Sequence, residues 1–268
     1  MEKSQIARQG EDKVLMELRG ISKRFGGVVA LSQVQLVIYP GEVISLVGDN
    51  GAGKSTLIKI IAGAYQPDEG EIRFEGHRVR LRTPRVAKTL GIETVYQDLA
   101  LVDTLDVAGN IFLGREPTRL RLGPGLHILD KCRMEQDAEA ILHRLGIRFA
   151  SVRNKVEQLS GGQRQAVAVG RAIFSEPKLV VLDEPTAALA VREVEHVLEL
   201  IRSLRAEGIA VIFISHTLQE VFAVTDRIIV LRKGKTVGNL STKETSIDEV
   251  VKLMVGQERS LVADNRAG

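Results

Sequence analysis

Nine consecutive residues, GDNGAGKST at positions 48–56, carry the strongest chemical signal in the chain. Four residues separate Gly48 from Gly53, and Lys54, Ser55 and Thr56 follow at once. A polyphosphate needs many donors at close range, and glycines let backbone N–H groups curl around it without side chains intervening. Asp49, Asn50, Gly51 and Ala52 complete such a cradle. Lys54 adds a mobile positive charge for the outer phosphates, and the Ser55 hydroxyl suits the Mg²⁺ that travels with them. A glycine-rich turn with an accidental lysine is the competing reading. The flanks oppose it: residues 43–47 form an apolar strand entering the loop, and residues 57–64 an apolar-faced helix leaving it, whose N-terminal N–H groups and dipole favour the same anion.

A second helix start has related chemistry. In LSGGQ, residues 159–163, Ser160 and the glycines Gly161 and Gly162 precede Gln163 and a helix with Ala166, Val169 and Ile173 on one face. Ser160 can cap that helix or give its hydroxyl to a phosphate. Residues 179–182 read as a buried strand ending in Asp183-Glu184. Adjacent acids at a buried strand's carboxyl end are expensive unless they meet a cation or polar substrate, and ligands of open α/β sheets sit at that end. Asp183 is placed to hold Mg²⁺, and Glu184 to polarise an attacking water. His216 follows the strand at 209–215 and could bridge a phosphate and a water through its two ring nitrogens. Gln97 closes a strand at 92–96 and, alone, is an ordinary loop amide. Phe25, beside Gly26 and Gly27 in a polar connection, either stacks on a base or plugs the nearby core.

These groups need a scaffold, and the chain supplies an alternating one. Strands are expected at 14–21 and 36–39, the second ended by Pro40-Gly41, and at 71–75, half-exposed and antiparallel to the early ones. A short helix opens near Pro84. Residues 98–158 carry no strong strand signal, a turn at Gly123-Pro124-Gly125 and a helix over 134–145, which together read as a mainly helical insert. The basic stretch 115–121 reads as solvated surface. Apolar residues at helical spacing from Val191 to Leu204, a strand at 227–231, a tight turn at Lys233-Gly234-Lys235 and a helix at 247–255 complete the pattern. Residues 1–13 and 257–268 read as tails.

Composition narrows the classes. The chain has 268 residues, 44% apolar and 26% charged, as in a soluble globular protein. Lys and Arg total 37 against 34 Asp and Glu, and no aromatic stacking surface accompanies them, so nucleic acid is not an expected partner. The one cysteine, Cys132, excludes an internal disulfide. No apolar stretch is long enough to cross a bilayer, so a membrane role must come through a partner.

The order phosphate loop, Gln97, LSGGQ, Asp183-Glu184 and His216 resembles the ATPase subunit of ABC transporters over about residues 14–256. That resemblance implies a P-loop NTPase core with a parallel sheet, an N-terminal antiparallel β subdomain and an inserted helical subdomain at approximately 98–175. It implies ATP and Mg²⁺ as cofactors, Phe25 as the adenine-stacking aromatic, Gln97 as the residue that touches Mg²⁺ and senses a membrane partner, and Glu184 as general base. It also implies that Ser160, Gly161, Gly162 and Gln163 serve the nucleotide of a second copy, in a head-to-tail homodimer. Residues 91–116 and DEPTAALA, 183–190, are similar to single-cassette ATPases of bacterial monosaccharide importers of the ribose, xylose and fructose type. The expected partners are then transmembrane permease subunits and, indirectly, a periplasmic sugar-binding protein, with the chain on the cytoplasmic face of the cell membrane. Ala190 departs from the Asp that many family members carry after that Leu. A soluble ABC ATPase of DNA repair or translation, an ABC subunit for a non-sugar substrate and a non-catalytic regulatory cassette are the rivals. The first usually shows a long coiled coil or two linked cassettes, and Lys54, Glu184 and His216 together oppose the last.

Overall fold

The protein is described from a computed structural model covering residues 14–121, 127–147, 149–187 and 189–256. The chain opens with β1 (Met16–Phe25), β2 (Val28–Ile38), β3 (Val43–Val47) and α1 (Lys54–Ile61). Then come β4 (Glu69–Phe74), β5 (His77–Val79), α2 (Pro84–Thr89) and β6 (Ile92–Val95). An insert follows with α3 (Val107–Phe112), β7 (Thr118–Arg121), β8 (His127–Leu129), α4 (Lys131–Arg144) and α5 (Gly161–Ile173). The remainder alternates: β9 (Leu179–Asp183), α6 (Val191–Ala206), β10 (Ala210–Ile214), α7 (Leu218–Val224), β11 (Arg227–Arg232), β12 (Lys235–Ser241) and α8 (Ile247–Val255).

Among the described residues, six strands form one sheet in the order β12-β11-β3-β10-β9-β6, parallel except for the antiparallel edge pair β11 and β12. All residues of β3 and β10 are buried, as expected for parallel strands covered on both faces. Ile44 and Leu46 of β3 join Leu57, Ile58 and Ile61 of α1 and Met16, Leu18 and Ile38 of the first two strands in one core. The alternate residues Val43 and Val47 face a second core with Val197, Leu198 and Ile201 of α6. A separate antiparallel sheet, β2-β1-β4-β5, covers the first core. Two faces at period two thus become two hydrophobic layers.

The insert has its own small core, with Val107, Ile111 and Phe112 against Met134, Ala138 and Leu142. α5 belongs to both sides: Val167 packs in the insert and Val169, Ala172 and Ile173 on the sheet. Beyond packing, Arg171 of α5 donates to the carbonyls of Leu99 (2.6 Å) and Ala100 (2.9 Å), just after β6. Burial pushes that guanidinium below its ordinary range, and the two carbonyls compensate its lost water. Arg115 hydrogen-bonds Ser175 and the Arg171 carbonyl and lies over the Phe174 ring, while Ser175 donates to the buried Glu93 at 3.0 Å.

Several sequence expectations need correction. The early strands are longer than their apolar runs: Gln33, at φ 53°, interrupts the alternation of Leu31, Val34, Leu36 and Ile38, and hides the first part of β2. Phe25 consequently ends a strand opposite Val28, and the connection shrinks to Gly26-Gly27. The insert contains the hairpin β7-β8 as well as helices, and Arg115, exposed as expected, is also engaged with the end of α5. β12, whose residues are only half-buried, gave no apolar run to read. The turn at Gly123-Pro124-Gly125 and both tails lie outside the described residues.

Phe112, 1% exposed, meets Phe174 edge to face at 4.6 Å. Phe112→Ala is expected to lower unfolding free energy by about 3–5 kcal/mol. Val191, 88% exposed, should tolerate Ala within about 0.5 kcal/mol in the same denaturant titration.

Candidate functional site

The phosphate-loop chemistry begins with backbone constraint. β3 delivers Gly48 at φ 152°, where a Cβ would lie 2.2 Å from the Leu231 carbonyl oxygen. Gly53, at φ 106°, is the N-cap of α1, and a Cβ there would strike the Ala30 carbonyl and Leu31 at 2.7 Å. Only glycine fits both the angle and the neighbours. No acidic residue occupies the first turn of α1, and no side chain caps it, so its positive end stays available to an anion. Residues 49–56 line a concavity of about 310 Å³ with Val28, Val29, Ala30, Glu184 and His216.

Lys54 is 8% exposed, and its ammonium donates to the carbonyls of Gly48 (2.5 Å) and Asp49 (3.2 Å). Burial pushes its pKa down, while Glu184, Asp49 and Asp183 pull it back up. At the end of β9, burial first and then the charge of Glu184 raise the Asp183 carboxyl above the ordinary carboxylate range. The next residue, Glu184, adopts φ 51°, a left-handed conformation uncommon for a residue with a Cβ, and its N–H donates to Ile214 O at 3.1 Å. β10 ends beside β9, with Ile214 opposite Asp183, so the residues after each strand meet. His216 Nε2 lies 2.6 Å from Glu184 Oε1. With the carboxylate only able to accept, the imidazole proton sits on Nε2 in this contact.

Gln97 is exposed just past β6, and Val95 pairs with Leu182, which brings Gln97 to the same sheet end as Asp183. Burial and then the charge of Asp183 raise the neighbouring Tyr96 phenol. Phe25 is 43% exposed and rests edge-on against Tyr65 at 5.3 Å. Neither Gln97 nor Phe25 lines the 310 Å³ concavity. Ser160 is the N-cap of α5: its hydroxyl accepts from Gln163 N (3.4 Å) and Gln163 Oε1 accepts from Ser160 N (3.1 Å), a reciprocal capping box. None of residues 160–163 lines the concavity of the phosphate loop. His77, His143 and His196 are exposed and away from it.

The model of a family described as ABC transporter matches residues 31–187. The chain belongs to the ABC transporter family. The xylose/arabinose import ATP-binding protein XylG of Sulfolobus acidocaldarius is 47% identical over 240 residues, 90% of this chain and 93% of that protein. The fructose import ATP-binding protein FrcA of Rhizobium meliloti is 46% identical over 244 residues, 90% and 94% of the two chains. With the ribose import ATP-binding protein RbsA 1 of Rubrobacter xylanophilus identity is 47%, but this chain spans only 47% of that longer protein. Among solved structures, the ADP conformation of an ATP-binding cassette of an ABC transporter superposes with a TM-score of 0.76 at 28% identity, over 91% of this chain and 99% of that one. A dimeric post-hydrolysis state of another cassette, bound to ADP and Pi, gives 0.69 at 26% identity, over 86% and 100%. The expected α/β cassette with its antiparallel N-terminal sheet is thereby met.

Two residues of this ABC cassette site carried no sequence signal. Glu220 of α7 accepts from Thr186 Oγ1 and Ser215 Oγ, both at 2.6 Å, and so ties the segment after Glu184 to the one bearing His216. Glu193 turns its carboxylate back onto Ala190 N (3.2 Å) at the start of α6 and lies against the Gly161-Gly162 turn. Each is one acid among many on a helix, and only the fold brings it to the site.

A Cβ on Gly161 would sit 2.6 Å from Leu189 Cδ2. Gly161→Ala should therefore cost about 1–3 kcal/mol of stability by denaturant titration, apart from any effect on turnover. Asp183→Asn should do the reverse in the nucleotide-free chain with a chelator present, raising unfolding free energy by about 0.5–2 kcal/mol because a poorly compensated charge leaves a half-buried position.

Proposed function

We propose that this chain is the ATP-binding and ATP-hydrolysing subunit of an importer for a monosaccharide, working with separate permease subunits and a second copy of itself. The observation that carries this reading is the combination of one complete phosphate loop, acids and histidine with relatives named, over nearly their whole length, for xylose/arabinose and fructose import. No described helix is long and apolar enough to cross a membrane, which is consistent with a peripheral subunit at the cytoplasmic face and a separate translocation path. A periplasmic sugar-binding protein would hand the sugar to the permease. The cassette itself is taken to span residues 14–256, with a helical subdomain at about 98–175.

In this reading the loop 48–56 wraps the phosphates, with Thr56, Asn50 and the backbone N–H groups as donors. Lys54 exchanges its two carbonyl contacts for phosphate oxygens. Glu184 takes a proton from water as that oxygen attacks the γ-phosphorus; the bond to the β-bridging oxygen breaks and ADP leaves. His216 fixes the Glu184 carboxylate through the 2.6 Å contact. Ser55 and Asp183, with Gln97, are the residues assigned to Mg²⁺. The site's chemistry suits that ion: oxygen donors only, and an Asp183 charge that burial leaves short of compensation. Mg²⁺, when bound, neutralises charge on the β- and γ-oxygens. Phe25, 43% exposed with the Lys23 ammonium over its ring, is assigned to the adenine.

A partner for the α5 tip is the remaining requirement. Ser160 to Gln163 lie off the concavity of their own phosphate loop, which supports use on the nucleotide of a second copy in a two-fold assembly.

Glu184→Gln should retain ATP binding, accumulate an ATP-bound dimer by size-exclusion chromatography and lose turnover by about 100-fold or more. Unchanged hydrolysis would remove Glu184 from the role of base. Recovery of ribosomes or DNA with the chain from membranes, and of no permease, would count against transport.

A further inference from the structure

Glu193 occupies a junction that the proposed chemistry leaves unexplained. At the start of α6 the N-cap is Ala190, which has no side-chain acceptor. The Glu193 carboxylate supplies only the returning half of a cap, accepting from Ala190 N at 3.2 Å, while its own N–H donates to Ala190 O at 2.8 Å. The same side chain covers the tip of α5. A Cβ built on Gly161 would lie 3.4 Å from Glu193 Oε2, and one on Gly162 only 3.1 Å from Glu193 Cβ. Leu189 closes on Gly161 from beside it. The two glycines therefore admit the beginning of α6, not only a ligand.

We infer that Glu193 is a positioning residue that joins the Ser160–Gly162 turn to the segment carrying Glu184, so that the helix tip offered to one nucleotide and the carboxylate acting on the other shift together. The connection to Glu184 is short. Ala187 N donates to Glu184 O at 3.2 Å, closing a tight turn over residues 185 and 186, and Leu189 N donates to Thr186 O at 3.3 Å. Glu220 holds Thr186 from the other side. The Ala190 N–H first, then the nearby Ser160 hydroxyl and the Gly162 and Gly161 N–H groups, hold the Glu193 carboxyl below the usual carboxylate range. The acid accepts from Ala190 N on one side of the junction and packs on the Gly161-Gly162 turn on the other. The inference rests on the reading that the Ser160 turn serves a partner's nucleotide.

The test compares the full-length chain with Glu193→Ala and Glu193→Gln for ATP hydrolysis, ATP binding below the dimerisation concentration, and thermal unfolding. Glu193→Ala should lower kcat about tenfold and reduce the Hill coefficient for ATP from about two toward about one, with monomer ATP affinity and melting temperature held. Glu193→Gln keeps an acceptor oxygen and should recover most of the loss. Wild-type kcat and cooperativity in Glu193→Ala would overturn the inference. So would a Glu193→Gln as impaired as Glu193→Ala, which would make charge rather than hydrogen bonding the cause, or a parallel loss of melting temperature and ATP affinity, which would make the residue merely structural. A wild-type chain that hydrolyses ATP without cooperativity and never pairs with ATP would instead defeat the two-copy reading, and this inference with it.

Discussion

β10 lies between β3 and β9 with Val211 opposite both Val43 and Val180, and that double registration governs everything at the sheet's carboxyl end. Three parallel strands finishing in step bring the phosphate loop, Asp183-Glu184 and Ser215-His216 to one edge. A shift of one residue in any of them would turn its apolar side chains from one core to the other, so the two hydrophobic layers hold the register that the chemistry needs. The charged groups contribute little to that stability. Lys54 and Asp183 are both displaced from their ordinary ionisation ranges by burial, opposite in sign and near each other, with Glu184 close to both. A site so arranged is stabilised by the sheet around it and is better matched to a triphosphate with its cation than to water.

Much of this was legible because the residues concerned punctuate the chain. The loop 48–56 sits between an apolar strand and an apolar-faced helix, and the glycines demanded by Leu231 O and Ala30 O are visible as glycines. Strong parallel strands announce themselves as short apolar runs, and β3 and α8 fall where expected. Less legible was whatever depends on a bulge or an edge. Gln33 breaks the alternation of β2, β12 is half-exposed, and the β7-β8 hairpin is a small appendage without a core of its own signal. Glu220 and Glu193 were missed for a different reason: beside the near partners Ser215 and Ala190, each reaches one about 34 or 31–32 residues away, Thr186 or the Gly161-Gly162 turn, which no local pattern announces.

The departure at Ala190 looks different against the fold. At a helix start without a capping side chain, Glu193 N donates to Ala190 O and the Glu193 carboxylate pairs the Ala190 N–H. Ala190 therefore starts the helix with backbone acceptors and half a capping box. At the other end of the same local assembly, α5 places a capping box at its tip and Arg171 three residues before its last turn closes on Phe174.

That arginine has a mechanical corollary. Two donors of one rigid, planar group fixed on consecutive main-chain oxygens leave little rotational slack between α5 and residues 99 and 100. Leu99 also packs against the second core of the sheet, and Val95 is anchored in the sheet by its neighbour strand. Tyr96, Gln97 and Asp98, all exposed, are therefore strung between two fixed ends, and any shift of α5 would be passed to them through the two Arg171 contacts.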